Sequence, residues 1–308
     1  MMFERPISRR DSIRRMLQLA GGVVLGAAAV RPAAAAADGS FLVDGVGRSQ
    51  GFSIQELVKK TFDAGGGIEK FVKRGDVVVI KPNVSWAREP HLAATTNPEV
   101  LQAVVELCQA AGAKKVRIAD HTIHGAARCF AVTGVGAVAK NTGADLVHPR
   151  SSLMRDMQLR GERLNVWPVF TPIIEADKLI NLPVAKVHGL SGLTLGMKNW
   201  IGAVGGRRNA LHQDIHQTIV DLTRFFTPHL TLIDATRILT RHGPSGGDPA
   251  DVAVLNRLIL SNDPVAADAR AARLFDMDPD SLGFIRLGRQ QGLGLDDTRI
   301  ADRHQVVV

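Results

Sequence analysis

From about residue 50 to the C-terminus, short apolar runs alternate with longer amphipathic ones. Residues 76–80 (Asp76-Val-Val-Val-Ile80) carry an unbroken β-branched stretch, the pattern of a strand buried on both faces. After a polar loop, Asn97 stands where a helix cap is expected, with Pro98 at the first helical position and Gly112 just past the end. Val100, Leu101, Val104, Leu107, Cys108 and Ala111 fall on one side of that helix. Lys115–Ala119 reads as the next strand, ending at Asp120, and helical segments precede short strands near 145–147 and 164–166. A second series begins at Asp177. It runs through a strand at Lys178–Leu182, a Gly-rich stretch read as loop and one short helix, and a helix over about 212–226. Strands at 230–234 and 252–260 follow, and helices at 264–275 and 279–290 close the chain. Repeated β-then-α units, with no Pro- or Ser-rich linker between them, predict one α/β domain with a mainly parallel sheet and helices on both faces.

That pattern places polar residues selectively. Lys81, Asp120, Asn181 and Asp234 each sit at or just past the C-terminal end of a predicted strand. This is the edge where open parallel sheets bind ligands. Asn83 belongs to the same loop as Lys81.

The richest chemistry lies between Asn181 and Arg208. Lys186, His188, Lys198, Asn199 and Arg207 fall among Gly189, Gly196, Gly202, Gly205 and Gly206. Glycines let backbone N–H groups form concave anion nests, and Lys and Arg supply charge for phosphate or carboxylate. Lys186, Lys198 and Arg207 are therefore expected to hold an anionic group, with Lys81, Asn83, Asn199, Gly205 and Gly206 around it. His188 is expected to act as general acid/base or as a metal ligand, with Asp120 or Asp234 orienting it and Lys186 beside it. His212 and His216, at i and i+4, would stack on one helix face. With Asp234 they form a candidate divalent-metal set, although exposed histidines at a helix start show the same spacing.

Other motifs reduce to structure. Gly134-Val-Gly136-Ala-Val-Ala139 matches a relaxed dinucleotide fingerprint, yet no buried strand precedes it, so it reads as a helix stopped by Gly143. Asp263 is a helix cap, while Asp268, one turn in, is expected to face the site or pair with an arginine. Residues 241–247 lack the Gly-Lys-Ser/Thr of a phosphate-binding P-loop and read as a flexible loop in position to cover the site. Cys108 and Cys129 are too few for an iron–sulfur cluster and read as buried free thiols.

The N-terminus changes the charge argument. Arg9-Arg10 open a basic stretch, a short Gly- and Ala-rich apolar run follows, and Ala35-Ala36-Ala37 precede Asp38. Residues 1–37 read as a twin-arginine signal peptide engaging the export machinery, and residues 38–308 as an exported, periplasmic domain. The apolar run is shorter than the roughly 20 residues a stable span needs, and no later segment is long enough. The whole chain is formally +8, but residues 1–37 hold six basic and two acidic side chains, leaving +4. With that balance and no tyrosine, a nucleic-acid partner is not expected.

Val79-Ile-Lys81-Pro82-Asn83, Thr95-Thr-Asn97-Pro98, Lys186-Val-His188, Leu195-Gly-Met-Lys198-Asn199-Trp-Ile-Gly202 and Asp263-Pro-Val-Ala-Ala-Asp268 form an ordered series. In these elements the chain resembles the family called domain of unknown function 362, along nearly all of residues 38–308. The resemblance implies membership without a reaction. Some members carry a ferredoxin-type domain, which this chain and its two cysteines lack. The expected activity is an enzyme acting on a small anionic substrate, with a divalent metal as an open possibility. A non-catalytic binding protein for an anionic ligand or cofactor is the alternative.

Overall fold

The computed structural model describes residues 39–48 and 51–308, so the signal-peptide assignment to residues 1–37 lies outside the described residues. The chain opens with β1 (Phe41–Val46) and α1 (Ile54–Ala64), capped by Ser53. The β-branched run forms β2 (Val77–Pro82), and α2 (Pro98–Ala110) begins where Asn97 accepts from the Glu99 N–H. Next come β3 (Lys115–Ala119), α3 (Ala126–Val132), α4 (Val135–Thr142) and β4 (Asp145–Val147). A small antiparallel hairpin, β5 (Met154–Gln158) and β6 (Val166–Phe170), precedes β7 (Lys178–Leu182), β8 (Val184–His188) and β9 (Gly192–Thr194). The C-terminal part holds α5 (Ile215–Phe226), β10 (Leu230–Leu239), β11 (Val252–Ser261), α6 (Pro264–Ala272), α7 (Gly283–Gln290) and β12 (Asp302–Val307).

The main sheet runs β12-β1-β11-β10-β7-β2-β3-β4, with β8 continuing along the far half of β10 and β9 paired to β8. From β10 through β4 every pairing is parallel; β11 joins both β1 and β10 antiparallel. The sheet is thus mostly parallel, and it belongs to one α/β domain. Strand β2 shows why its sequence is apolar throughout. Val78 and Ile80 pack into a layer with Leu57, Phe62, Leu101 and Val104 from α1 and α2. Val79 faces the opposite layer, with Trp200, Ile219, Phe226 and Ala267. Helices cover both faces, as the alternation predicts.

Several local expectations change. Strands β1 and β12 at one sheet edge fall outside the alternating pattern that began near residue 50. The segment near 164–166 belongs to the β5–β6 hairpin and is not a strand after a helix. The stretch after Leu182, read as loop and short helix, contains the β8–β9 hairpin. Its polar residues fall at period two, Lys186 and His188, which is the strand signal its glycines obscured. The Gly134 segment is helical as expected, with Gly143 left-handed past its end, and both cysteines are buried and free. No helix among the described residues is long and apolar enough to cross a membrane.

Candidate functional site

Strand alternation sends Lys186 and His188 to one face of β8, and the hairpin register sets Thr194 opposite Lys186. The chain then enters a buried 3₁₀ stretch, Met197–Ala203, that lies across the sheet. Asp268 on α6 holds its entry: one carboxylate oxygen accepts from the Gly196 N–H at 2.7 Å and the other from the Met197 N–H at 2.9 Å. The anion held by backbone N–H groups here is therefore the chain's own carboxylate. Asp268 faces neither an arginine nor the cavity. Burial pushes its carboxyl up to about 7, opposed by those two N–H donors.

A chain of amides orders the floor of the site. Asn181 donates to the Gly196 carbonyl at 2.8 Å, so its oxygen is free to accept from Asn199 Nδ2 at 2.9 Å. Asn199 Nδ2 also donates to the Lys81 carbonyl, leaving Asn199 Oδ1 to accept from Lys81 Nζ at 3.2 Å and from Asn83 Nδ2 at 3.3 Å. Each amide orientation thus follows from a backbone carbonyl at the start of the relay. Lys81 Nζ also donates to the Pro82 carbonyl at 3.0 Å and to Asp120 at 2.6 Å. The second Asp120 oxygen accepts from the Val84 N–H at 2.7 Å. Lys81 and Asp120 form a fully buried, fully engaged pair below the cavity, neither of them in its lining. Gly202 permits this approach, because a Cβ there would lie 2.3 Å from the Asp120 carboxylate.

Above this floor is a cavity of about 400 Å³. Lys186, Lys198 and Arg208 line it together with His188, His212, Asn83 and Asn199, and no carboxylate does. Trp86, Ile123, Leu190 and Pro244 add apolar wall, and Ile123 and Leu190 are among the few exposed large hydrophobics of the described residues. Gly243 seats the 241–247 loop directly on β8, since a Cβ there would stand 2.0 Å from the Val187 carbonyl oxygen.

The charged groups are in unusual states. Lys186 is buried and donates to the Ala94 carbonyl; burial, then the charge of Lys198, lowers its pKa to about 7. Lys198 is 8% exposed, has no hydrogen-bond or ion-pair partner among the described residues, and is lowered to about 7 by burial. The rings of His188 and His212 stack, centroids 6.3 Å apart and planes within 8°. His188 Nδ1 accepts from the Leu190 and Ser191 N–H groups at 3.1 and 3.3 Å, so its proton sits on Nε2. Burial, Lys198, His212 and Lys186 together lower it to about 3, which keeps it neutral. His212 Nδ1 lies 3.2 Å from the Arg208 carbonyl and donates to it, leaving the Nε2 lone pair free. The two imidazoles therefore have opposite tautomers.

The remaining sequence candidates separate from this cavity. Arg207 is exposed and outside the lining; Arg208 takes its place, donating to the His121 and Thr122 carbonyls at 2.7 Å each. No sequence signal distinguishes the two arginines, because the backbone turn between them makes the choice. Gly205 and Gly206 pack against Met154 and Pro168, away from the lining. The candidate metal set does not assemble. His212 precedes α5, whose first turn starts after Asp214, so it does not stack with His216. His216 stacks on Phe284, and Asp234 spends its oxygens on the Asn97 N–H and on Thr236. Among the described residues no three His, Cys, Asp or Glu side chains are placed to hold a metal ion.

The fold and site define a single α/β domain that gathers buried cations at the carboxyl edge of a mostly parallel sheet. The chain belongs to the family described as Domain of unknown function (DUF362), which it matches over residues 78–273. It is 29% identical over 269 residues to "Thylakoid-associated protein sll1697" of Synechocystis sp., covering 82% of this chain and 79% of that protein. Among solved structures it is similar to the lactate racemase apoprotein of Thermoanaerobacterium thermosaccharolyticum, at TM-score 0.42 and 14% identity. A Thermotoga maritima protein gives TM-score 0.39 and 11% identity. These matches cover 76% and 77% of this chain but only 56% and 58% of those two, too distant to inform the chemistry.

Proposed function

We propose that the protein is an enzyme that binds a small carboxylate- or phosphate-bearing substrate in this cavity. The observation that carries the reading is the charge balance: Lys186, Lys198 and Arg208 line a cavity with no carboxylate, and Lys198 has no partner among the described residues. Nature seldom buries an ammonium without compensation, so the missing partner is assigned to the ligand. Lys198 and Lys186 hold the anionic group. His188, a neutral Nε2–H donor, polarises a substrate oxygen and does not carry the proton itself. His212, with a free Nε2, acts as the base. A bare binding protein would use the same cations, but the enzyme reading is favoured by a neutral donor stacked against a base.

The lysine pKa values give a test with a definite sign. Anion binding favours the protonated lysines, while both are about half neutral near pH 7 in the empty site. Sulfate, whose charge is constant across this range, is expected to bind with proton uptake. Its affinity should fall above pH 7 by up to roughly tenfold per pH unit for each lysine that must charge. Titration calorimetry in buffers of different ionisation enthalpy measures both. No sulfate binding at pH 6, or binding that strengthens with pH, removes the reading.

Export remains a second proposal, resting on residues 1–37. Replacing Arg9 and Arg10 by lysine is expected to retain the full chain in the cytoplasm, read by fractionation; unchanged export would refute the twin-arginine assignment.

A further inference from the structure

We propose that Lys198 is a nucleophile that forms an imine with the carbonyl group of a small oxo-carboxylate. The inference deepens the anion-site reading and rests on it, adding a substrate class and a covalent step.

Three lysines lie at this sheet edge, and their surroundings differ. Lys81 spends its ammonium on Asp120, Asn199 and the Pro82 carbonyl. Lys186 donates to the Ala94 carbonyl. Lys198 alone of the three has no partner among the described residues, although it is more than nine-tenths buried and lines the cavity. An amine is nucleophilic only when neutral, and burial next to a second cation is one way that proteins make it so. Both conditions hold here: burial lowers Lys198 to about 7, and Lys186 shares its cavity. Lys198 lines the same cavity as His188 and His212.

The neighbouring groups supply the rest of the step. Lys186, protonated by the incoming anion, holds the carboxylate. Lys198, which in its charged form helps to draw the anion in, reacts from its neutral form, about half of the amine near pH 7. The Lys198 nitrogen lone pair attacks the carbonyl carbon and forms the C–N bond. The carbonyl π electrons move to oxygen, where the His188 Nε2–H donates a hydrogen bond. His212 Nε2 takes a proton from the new ammonium and passes it to the oxyanion, which gives the neutral carbinolamine. A second proton, taken up from solvent water through His212, then converts the hydroxyl into a leaving water. The C–O bond breaks, water leaves, and a protonated imine remains. Amine, carbonyl compound and one proton thus give iminium and water, with no oxidant or reductant required.

The test incubates the full chain with pyruvate or glyoxylate at pH 7, adds borohydride to reduce any imine, and maps adducts by peptide mass spectrometry. Sulfate binding is measured in parallel. The expected result is reduced adduct on Lys198, roughly tenfold or more above any exposed lysine, because neutral amine is far more abundant there at pH 7. Excess sulfate should suppress it. Lys198→Arg, which has no amine to form an imine, is expected to give no adduct, but peptide mapping of the unaltered chain decides without it. If sulfate binds but neither oxo acid leaves adduct on Lys198, or the adduct sits on Lys186, the imine proposal is overturned and the anion site stands. If sulfate does not bind either, both fall.

Discussion

Replacing Lys198 by methionine is expected to stabilise the folded protein and to abolish sulfate binding. The two effects share a cause. Lys198 is buried with nothing among the described residues to offset its charge, and its pKa falls from 10.5 to about 7. At about 1.4 kcal/mol per pKa unit, the cost of holding this lysine in the core is several kcal/mol. Methionine fills similar space without charge, so a gain of roughly 2–4 kcal/mol is expected near neutral pH. The sign with pH follows from proton counting. Between about 7 and 10.5 the unfolded chain binds the lysine proton more than the folded one does, so the wild type becomes more stable as pH rises through that window. The advantage of Lys198→Met is therefore greatest below pH 7 and shrinks towards pH 10. Denaturant titrations across that range, paired with sulfate calorimetry, check both halves. A variant that is less stable than the wild type at pH 6, or one that still binds sulfate, would show that Lys198 has a partner within the fold.

Asp120→Ala should be among the most damaging single changes, for the opposite reason. Asp120 accepts from Lys81 and from the Val84 N–H, and all three groups are buried. Removing the carboxylate strands a buried ammonium and a buried N–H together, which costs about 3–5 kcal/mol. The floor of the site depends on the same pair, since Lys81 also holds Asn199. Lys81→Met combined with Asp120→Leu removes both charges and is expected to recover part of the loss, the coupling expected of contacting residues. Equilibrium urea denaturation of Asp120→Ala and of the double variant measures it. This prediction also revises a sequence reading: Asp120 looked catalytic, yet its oxygens are spent below the cavity. A soluble, fully stable Asp120→Ala protein lacking only activity would restore the catalytic assignment.

How far the sequence reached can be seen residue by residue. The β-branched run of β2 and the capped helix after it were legible because a strand buried on both faces and an Asn-Pro helix start leave local signatures. Lys186, His188, Lys198, Asn199, Asn83 and His212 were legible as candidates because polar residues among glycines at a sheet's carboxyl edge are unusual, and all six line the cavity. Arg208 was not, because its selection over Arg207 depends on which way one turn of backbone faces. The strands β1 and β12 were not, because their register is set by partners far away in sequence, here β11 for β1 and β1 for the edge strand β12.

The sequence alone determined the layered α/β architecture, the family and most residues of the site, since periodicity, caps and residue type are local properties. The tertiary structure decided their chemical states. It set Asp268 on the Gly196 and Met197 N–H groups, parted His212 from His216, closed Lys81 on Asp120 and, among the described residues, left Lys198 without a partner. Burial and partnership arise only when distant segments meet, and they determine which charged groups the fold uses and which it leaves for a ligand.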